Sequence, residues 1–166
     1  MTHKMKSVRW LCLFFAVCFS SVISAHTIKE STAQVILRDG QVAIKIITQE
    51  DHLVIALQNN LAWLMGDLPE VMPDDLTASE QKSFIEKALL ATISLQVNKQ
   101  KISLQRADIV SQQKGEMVIL LQAKHTVANV TDISVSFSKT LGIVHASFVK
   151  PQYQLLKAGE SATAHF

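Results

Sequence analysis

The residues of this chain with the greatest capacity for chemistry are histidines. His26, His52, His125, His145 and His165 all follow an N-terminal apolar segment. If the chain is cut after Ala25, His26 becomes the first residue, and its free α-amino group and imidazole can chelate one metal ion together. A second histidine would complete a three-nitrogen brace suited to copper, and the same donors suit zinc. His145 falls within an expected strand, His165 alternates with Thr163 and Ser161 on the polar face of a last expected strand, and His125 sits where a strand ends. His26, His145, His125 and His165 are therefore the candidate metal ligands, with copper or zinc as the ion. No two of them have the spacing of a preformed pair one helical turn apart. His52 falls away from the leucine stripe of an expected helix, as a solvated side chain does.

Other chemistries find less support. Ser134, Ser136 and Ser138 alternate with apolar residues, the pattern of a solvent-facing strand surface and not of a nucleophile on a sharp turn. With no acid pair and partnering histidine either, no enzymatic activity is expected. Met65 extends a helix and Met117 opens a buried strand, so both are expected to fill the core, while Met72 lies in a loop. Asp67, Glu70, Asp74 and Asp75 lack the glycine-spaced pattern of a calcium loop, and Asp74-Asp75 suit the start of the helix that follows. Asn129-Val130-Thr131 is a glycosylation sequon, with meaning only where the source glycosylates exported proteins.

The compartment follows from the first 25 residues. Lys4, Lys6 and Arg9 precede an apolar run from Trp10 to Phe19, which ends in Ser20-Ser21-Val22-Ile23-Ser24-Ala25. This is the order of a cleavable secretory signal, and the apolar stretch is shorter than the roughly 20 residues that span a bilayer. The expected organisation is a signal peptide over 1–25 and a single exported, periplasmic domain over 26–166 with no membrane span. Cys12 and Cys18 both lie in the signal, so the exported part has no disulfide or thiol chemistry. Loss of the three basic residues leaves 13 against 14 acids, and no nucleic-acid-binding surface is implied.

The elements that must position these residues are mostly strands. Ala33 to Arg38 and Gln41 to Ile46 flank Asp39-Gly40, a strong type I′ hairpin signal. That turn sets Leu37 against Val42, Val35 against Ile44 and Ala33 against Ile46, giving one apolar face, with Gln34, Arg38, Gln41 and Lys45 on the other. Leu53, Leu57, Leu61 and Leu64 then recur at helical spacing, predicting a helix over about 49–65 with Thr48 as its N-cap. A loop over 66–75 and a capping box at Thr77-Ala78-Ser79-Glu80 lead into a second helix with Phe84, Ile85, Ala88 and Leu89 as its stripe. Ile93 to Val97 and Ile102 to Leu104 read as a second hairpin turning at Asn98-Lys99-Gln100-Lys101. Met117 to Ala123 reads as a central strand covered on both sides. Ile133 to Phe137, Ile143 to Val149, an extended piece through Tyr153 and Leu155, and a last strand from Ser161 to Phe166 complete the series. The predicted fold is mainly β, a two-sheet antiparallel, Ig-like sandwich with an inserted helical hairpin over about 49–91.

A small exported β-rich chain beginning His26-Thr27 resembles the periplasmic copper-resistance sandwich proteins. The resemblance covers the signal, the first histidine and the architecture, and it implies that His26 is a copper ligand. Val35-Ile36-Leu37-Arg38-Asp39-Gly40 is also similar to exported domains that precede accessory permeases for hydrogenase and urease metals. The leading expectation is a non-enzymatic accessory module that binds a protein partner in the cell envelope. It should carry an exposed apolar patch or an unpaired sheet edge near the last strand, which ends at Phe166. The alternative is a periplasmic copper- or zinc-binding protein using His26.

Overall fold

The computed structural model describes residues 30–111, 115–153 and 155–162. Residues 1–25, with both cysteines, and His26 and His165 lie outside these residues. Eight strands form two sheets: β1 (Glu30–Arg38), β2 (Gln41–Gln49), β5 (Arg106–Ser111), β6 (Glu116–Lys124) and β8 (Ile143–Val149) in one, and β3 (Ser94–Val97), β4 (Gln100–Ile102) and β7 (Ile133–Ser136) in the other. Three helices, α1 (Glu50–Leu57), α2 (Asn60–Leu64) and α3 (Ala78–Thr92), are inserted between β2 and β3. The chain is thus mainly β, a sandwich with a helical insertion.

The first hairpin adopts the register that its turn dictates, with Leu37 opposite Val42, Val35 opposite Ile44 and Ala33 opposite Ile46. Gly40 has φ +70°, which a glycine adopts without strain. The apolar face of this hairpin is buried and joined in one core by Met117, Ile119, Leu121 and Ala123 of β6, Leu95 and Val97 of β3, and Ile85, Ala88 and Leu89 of α3. Burying each large aliphatic side chain stabilises the fold by about 1.5–3 kcal/mol, so the alternation in β1, β2 and β6 is the principal determinant of the sandwich.

One pairing departs from the antiparallel expectation. β8 lies parallel to β1, with Thr32 beside His145 and Val35 beside Phe148, while the other strand pairs are antiparallel. The order β5-β6-β2-β1-β8 leaves β8 and β5 at the edges of the larger sheet. β5 has no counterpart in the sequence reading, because only Ile109 of its Arg-Ala-Asp-Ile-Val-Ser run is a buried large apolar residue.

The predicted first helix is two helices. Asn59 breaks it, its side chain accepting a hydrogen bond from the Leu61 backbone N–H at 2.8 Å and capping α2. Leu53 and Leu57 stay in the core, but Leu61 and Leu64 turn outward, and Met65, expected inside, is 68% exposed. Thr48 is not the cap of α1, since β2 runs on through Gln49 and keeps pairing with β6. Instead, Thr48 Oγ1 lies 2.9 Å from Ser31 Oγ, which donates to the Leu141 carbonyl at 2.8 Å. This buried trio joins the start of β1 and the end of β2 to the 3-10 turn Lys139–Leu141.

The capping box of α3 is formed as expected. Thr77 N–H donates to the Glu80 carboxylate at 2.9 Å, and Glu80 N–H reaches back to Thr77 Oγ1. Hydrogen bonds from the Thr77 hydroxyl and backbone hold the Glu80 carboxyl below the usual glutamate range. The 66–75 loop contributes Leu68 and Met72 to the core, with Met72 N–H donating to the Leu57 carbonyl.

Four further expectations are corrected. The turn of the second hairpin is Asn98-Lys99 alone, both at positive φ, with Gln100 and Lys101 already in β4. β6 is packed along the whole of one face but only in part on the other, where Val118 is buried while Gln122, Lys124 and part of Leu120 meet solvent. Ser138 is buried, 2.8 Å from the Thr140 hydroxyl, whereas Ser134 and Ser136 are exposed. Tyr153, Leu155, Ser161 and Ala162 form no strand, and the rest of the expected last strand, 163–166, lies outside the described residues.

Candidate partner surface and turn pocket

The histidines that the sequence singles out are not brought together in the described structure. His145 sits in β8 beside Thr32, with Nε2 2.8 Å from the Glu30 carboxylate and both side chains well exposed. His125 lies just past β6, where its backbone N–H donates to the Gly40 carbonyl at the β1–β2 turn. The stretch of β1 from Thr32, beside His145, to Arg38 at the turn separates the two positions, about 20 Å at about 3.3 Å per residue, farther than two imidazoles can span around one ion. His52 is half-buried in α1. Among the described residues no group of three or more histidine, aspartate and glutamate side chains is gathered closely enough to hold a metal ion. Within the acidic loop, Asp67 is engaged by Lys139 at 2.6 Å.

The β8 edge offers a different kind of site. In a parallel pair, residues in register share a face, so Val144, Ala146 and Phe148 continue the core face of Ser31, Ala33 and Val35. Val144 packs against the core, but Phe148 is 53% exposed. Ile143 and Val149, on the opposite face, are also exposed, and Tyr153, Leu155 and Leu156 follow, Leu155 at 99%. Among the described residues no strand pairs with the outer side of β8. An extended chain can add there by main-chain hydrogen bonds, with apolar side chains on both faces to grip it. The sequence reading placed such an edge near a last strand ending at Phe166, of which 163–166 lie outside the described residues; the edge seen in the described residues is a different strand, β8. What hid this was the parallel β1–β8 pairing, which joins segments more than a hundred residues apart.

A second exposed apolar surface consists of Ile55, Leu61, Trp63, Leu64 and Met65 on α1 and around α2. It arises because Asn59 redirects the helix, which periodicity alone does not reveal.

His125 occupies a third distinctive place. It continues the inward parity of Met117, Ile119, Leu121 and Ala123 and is only 7% exposed, yet neither Nδ1 nor Nε2 has a hydrogen-bond partner among the described residues. Leaving a buried polar group unsatisfied costs about 1–3 kcal/mol. His125 also lines a cavity of about 370 Å3 between the β1–β2 turn, the 125–130 segment and the start of the chain beyond β8. The sequence marked His125 as a strand-end residue but carried no signal for its burial.

No helix among the described residues is long and apolar enough to cross a membrane. No protein-family model matches the chain, and a search among curated proteins finds no match.

Proposed function

We propose that this protein is a non-enzymatic, exported accessory module of the cell envelope that binds an extended segment of a protein partner along β8. The carrying observation is an edge strand with no outer neighbour among the described residues and with exposed Ile143, Phe148 and Val149. Soluble domains ordinarily blunt such edges with lysines, prolines or bulges; here Lys150 and Pro151 come only after the strand has ended. The signal-like first 25 residues support an encounter in the periplasm.

The test is photo-crosslinking in the producing cell. A photoreactive residue at Phe148 or Ile143 is expected to give a discrete adduct with another polypeptide, while one at Lys101 on β4 gives none. Adducts of the same pattern from all three positions, or from none, would refute the assignment; an adduct with a second copy of this chain would replace the partner with self-association.

A second reading, a copper or zinc site at His26, draws support from the Glu30–His145 pair. Glu30 is four residues from His26, and a carboxylate on one imidazole nitrogen is the usual way of orienting a metal-ligating histidine. Copper and zinc titrations of the natively processed protein should then show tight binding that His26→Ala abolishes. Equally weak binding by both proteins eliminates this reading.

A further inference from the structure

The short helix α2 is left almost uncovered by the rest of the fold. None of its residues is buried, and Ala62 alone of them packs against the core. At about 100° per residue, Leu61 and Trp63 lie on either flank of Ala62 and Leu64 lies opposite it. These three and Met65, at the C-cap, are all exposed. The backbone of this tip is hydrogen-bonded from within. Leu61 N–H donates to the Asn59 side chain and Ala62 N–H to the Asn59 carbonyl, while the N–H groups of Met65, Gly66 and Asp67 donate to the carbonyls of Leu61, Trp63 and Ala62. Residues 53–66 contain no acidic or basic side chain, and no lysine or arginine occurs between Lys45 and Lys82. The nearest charges in sequence are the acids Glu50 and Asp51 on one side and Asp67 and Glu70 on the other.

We propose that the α2 tip inserts shallowly into the surface of a zwitterionic phospholipid bilayer, with Leu61, Leu64 and Met65 toward the acyl chains and Trp63 at the headgroup level. Shape favours lipid over a protein. A protein surface covers one side of a helix, whereas apolar side chains on both flanks and the outer side of α2 call for a medium that surrounds it, as fluid acyl chains do. The N–H groups paired within the turn enter such a medium without losing their partners. A tryptophan suits the interface, where its ring meets apolar matter and its N–H meets water and headgroups. Charge selects the lipid: a tip without cations and flanked by acids has no attraction for anionic headgroups, on which basic interfacial helices rely. This contact is separate from the β8 edge.

Cleavage after Ala25 removes Trp10 and leaves Trp63 as the only tryptophan, so fluorescence of the purified processed protein reports this tip alone. Phosphatidylcholine vesicles are expected to shift Trp63 emission to the blue, saturably and equally at low and high salt, and brominated phosphatidylcholine to quench it. The Leu64→Gln/Met65→Gln double variant, changed at two exposed positions, should partition about tenfold more weakly or worse, with its urea midpoint unchanged. The proposal is overturned if phosphatidylcholine neither shifts nor quenches the emission, if only phosphatidylglycerol vesicles bind and salt releases them, or if the double variant partitions as well as the parent. A photoreactive residue at Leu64 that captures a protein, while vesicles leave Trp63 unchanged, would assign the surface to a protein partner instead.

Discussion

His125 shows at the scale of a single side chain what a buried polar group does to stability. A buried imidazole with neither nitrogen hydrogen-bonded among the described residues is a liability to the protein's stability. Replacing it with leucine, of similar size, removes two unsatisfied polar atoms and keeps the packing. His125→Leu should therefore raise the free energy of unfolding by about 1 kcal/mol, read as a higher urea midpoint at unchanged slope; a lower midpoint would show that the ring nitrogens are satisfied in solution. Glu80 presents the opposite case, an exposed carboxylate stabilised by its partner. Its folded-state pKa is depressed, so its contribution is fully present above the unfolded value, about 4.3, and is lost as pH falls through the lower folded value. Thr77→Ala should raise the Glu80 midpoint in a carbon-13 titration toward the ordinary glutamate range. An unchanged midpoint would contradict the capping box as the cause.

At the scale of elements, the buried trio of Ser31, Thr48 and the Leu141 carbonyl decides where β1, β2 and the 3-10 turn meet. Ser31→Ala leaves that carbonyl and the Thr48 hydroxyl without their partner and should destabilise the fold by about 1–3 kcal/mol, measurable by urea unfolding; a change near zero would mean that water substitutes freely. Thr48 also shows what was legible in the sequence and what was not. Its hydroxyl ahead of Glu50 and Asp51 suggests an N-cap, but pairing of β2 with β6 continues through Gln49 and recruits it as a strand residue. Asp39-Gly40 and the Thr77 to Glu80 box were legible because their information is local and complete within four residues. The break at Asn59 was obscured by a leucine spacing that runs straight through it. β5 and the parallel β8 were obscured by dependence on partners far along the chain. The candidate site was legible only as chemistry: His125 and His145 stand out by residue type, but their separation along β1 is a property of register.

For the whole molecule, the helical insertion and the two sheets enclose one core, while the apolar surface left over gathers at the β8 edge and around α2. A free monomer would be expected to protect an open edge unless that edge were occupied in its working state. The export reading has a test of its own: N-terminal sequencing of the processed protein should begin at His26, four residues before Glu30 in the sequence. A start elsewhere would remove the metal alternative and leave the edge untouched. The most direct test of partner binding at β8 is amide hydrogen exchange over residues 143–149, measured on the protein in the intact envelope fraction and again after purification. The account predicts slower exchange across this segment in the envelope, with β3 and β6 unchanged between the two states. Equal exchange of β8 in both would contradict it.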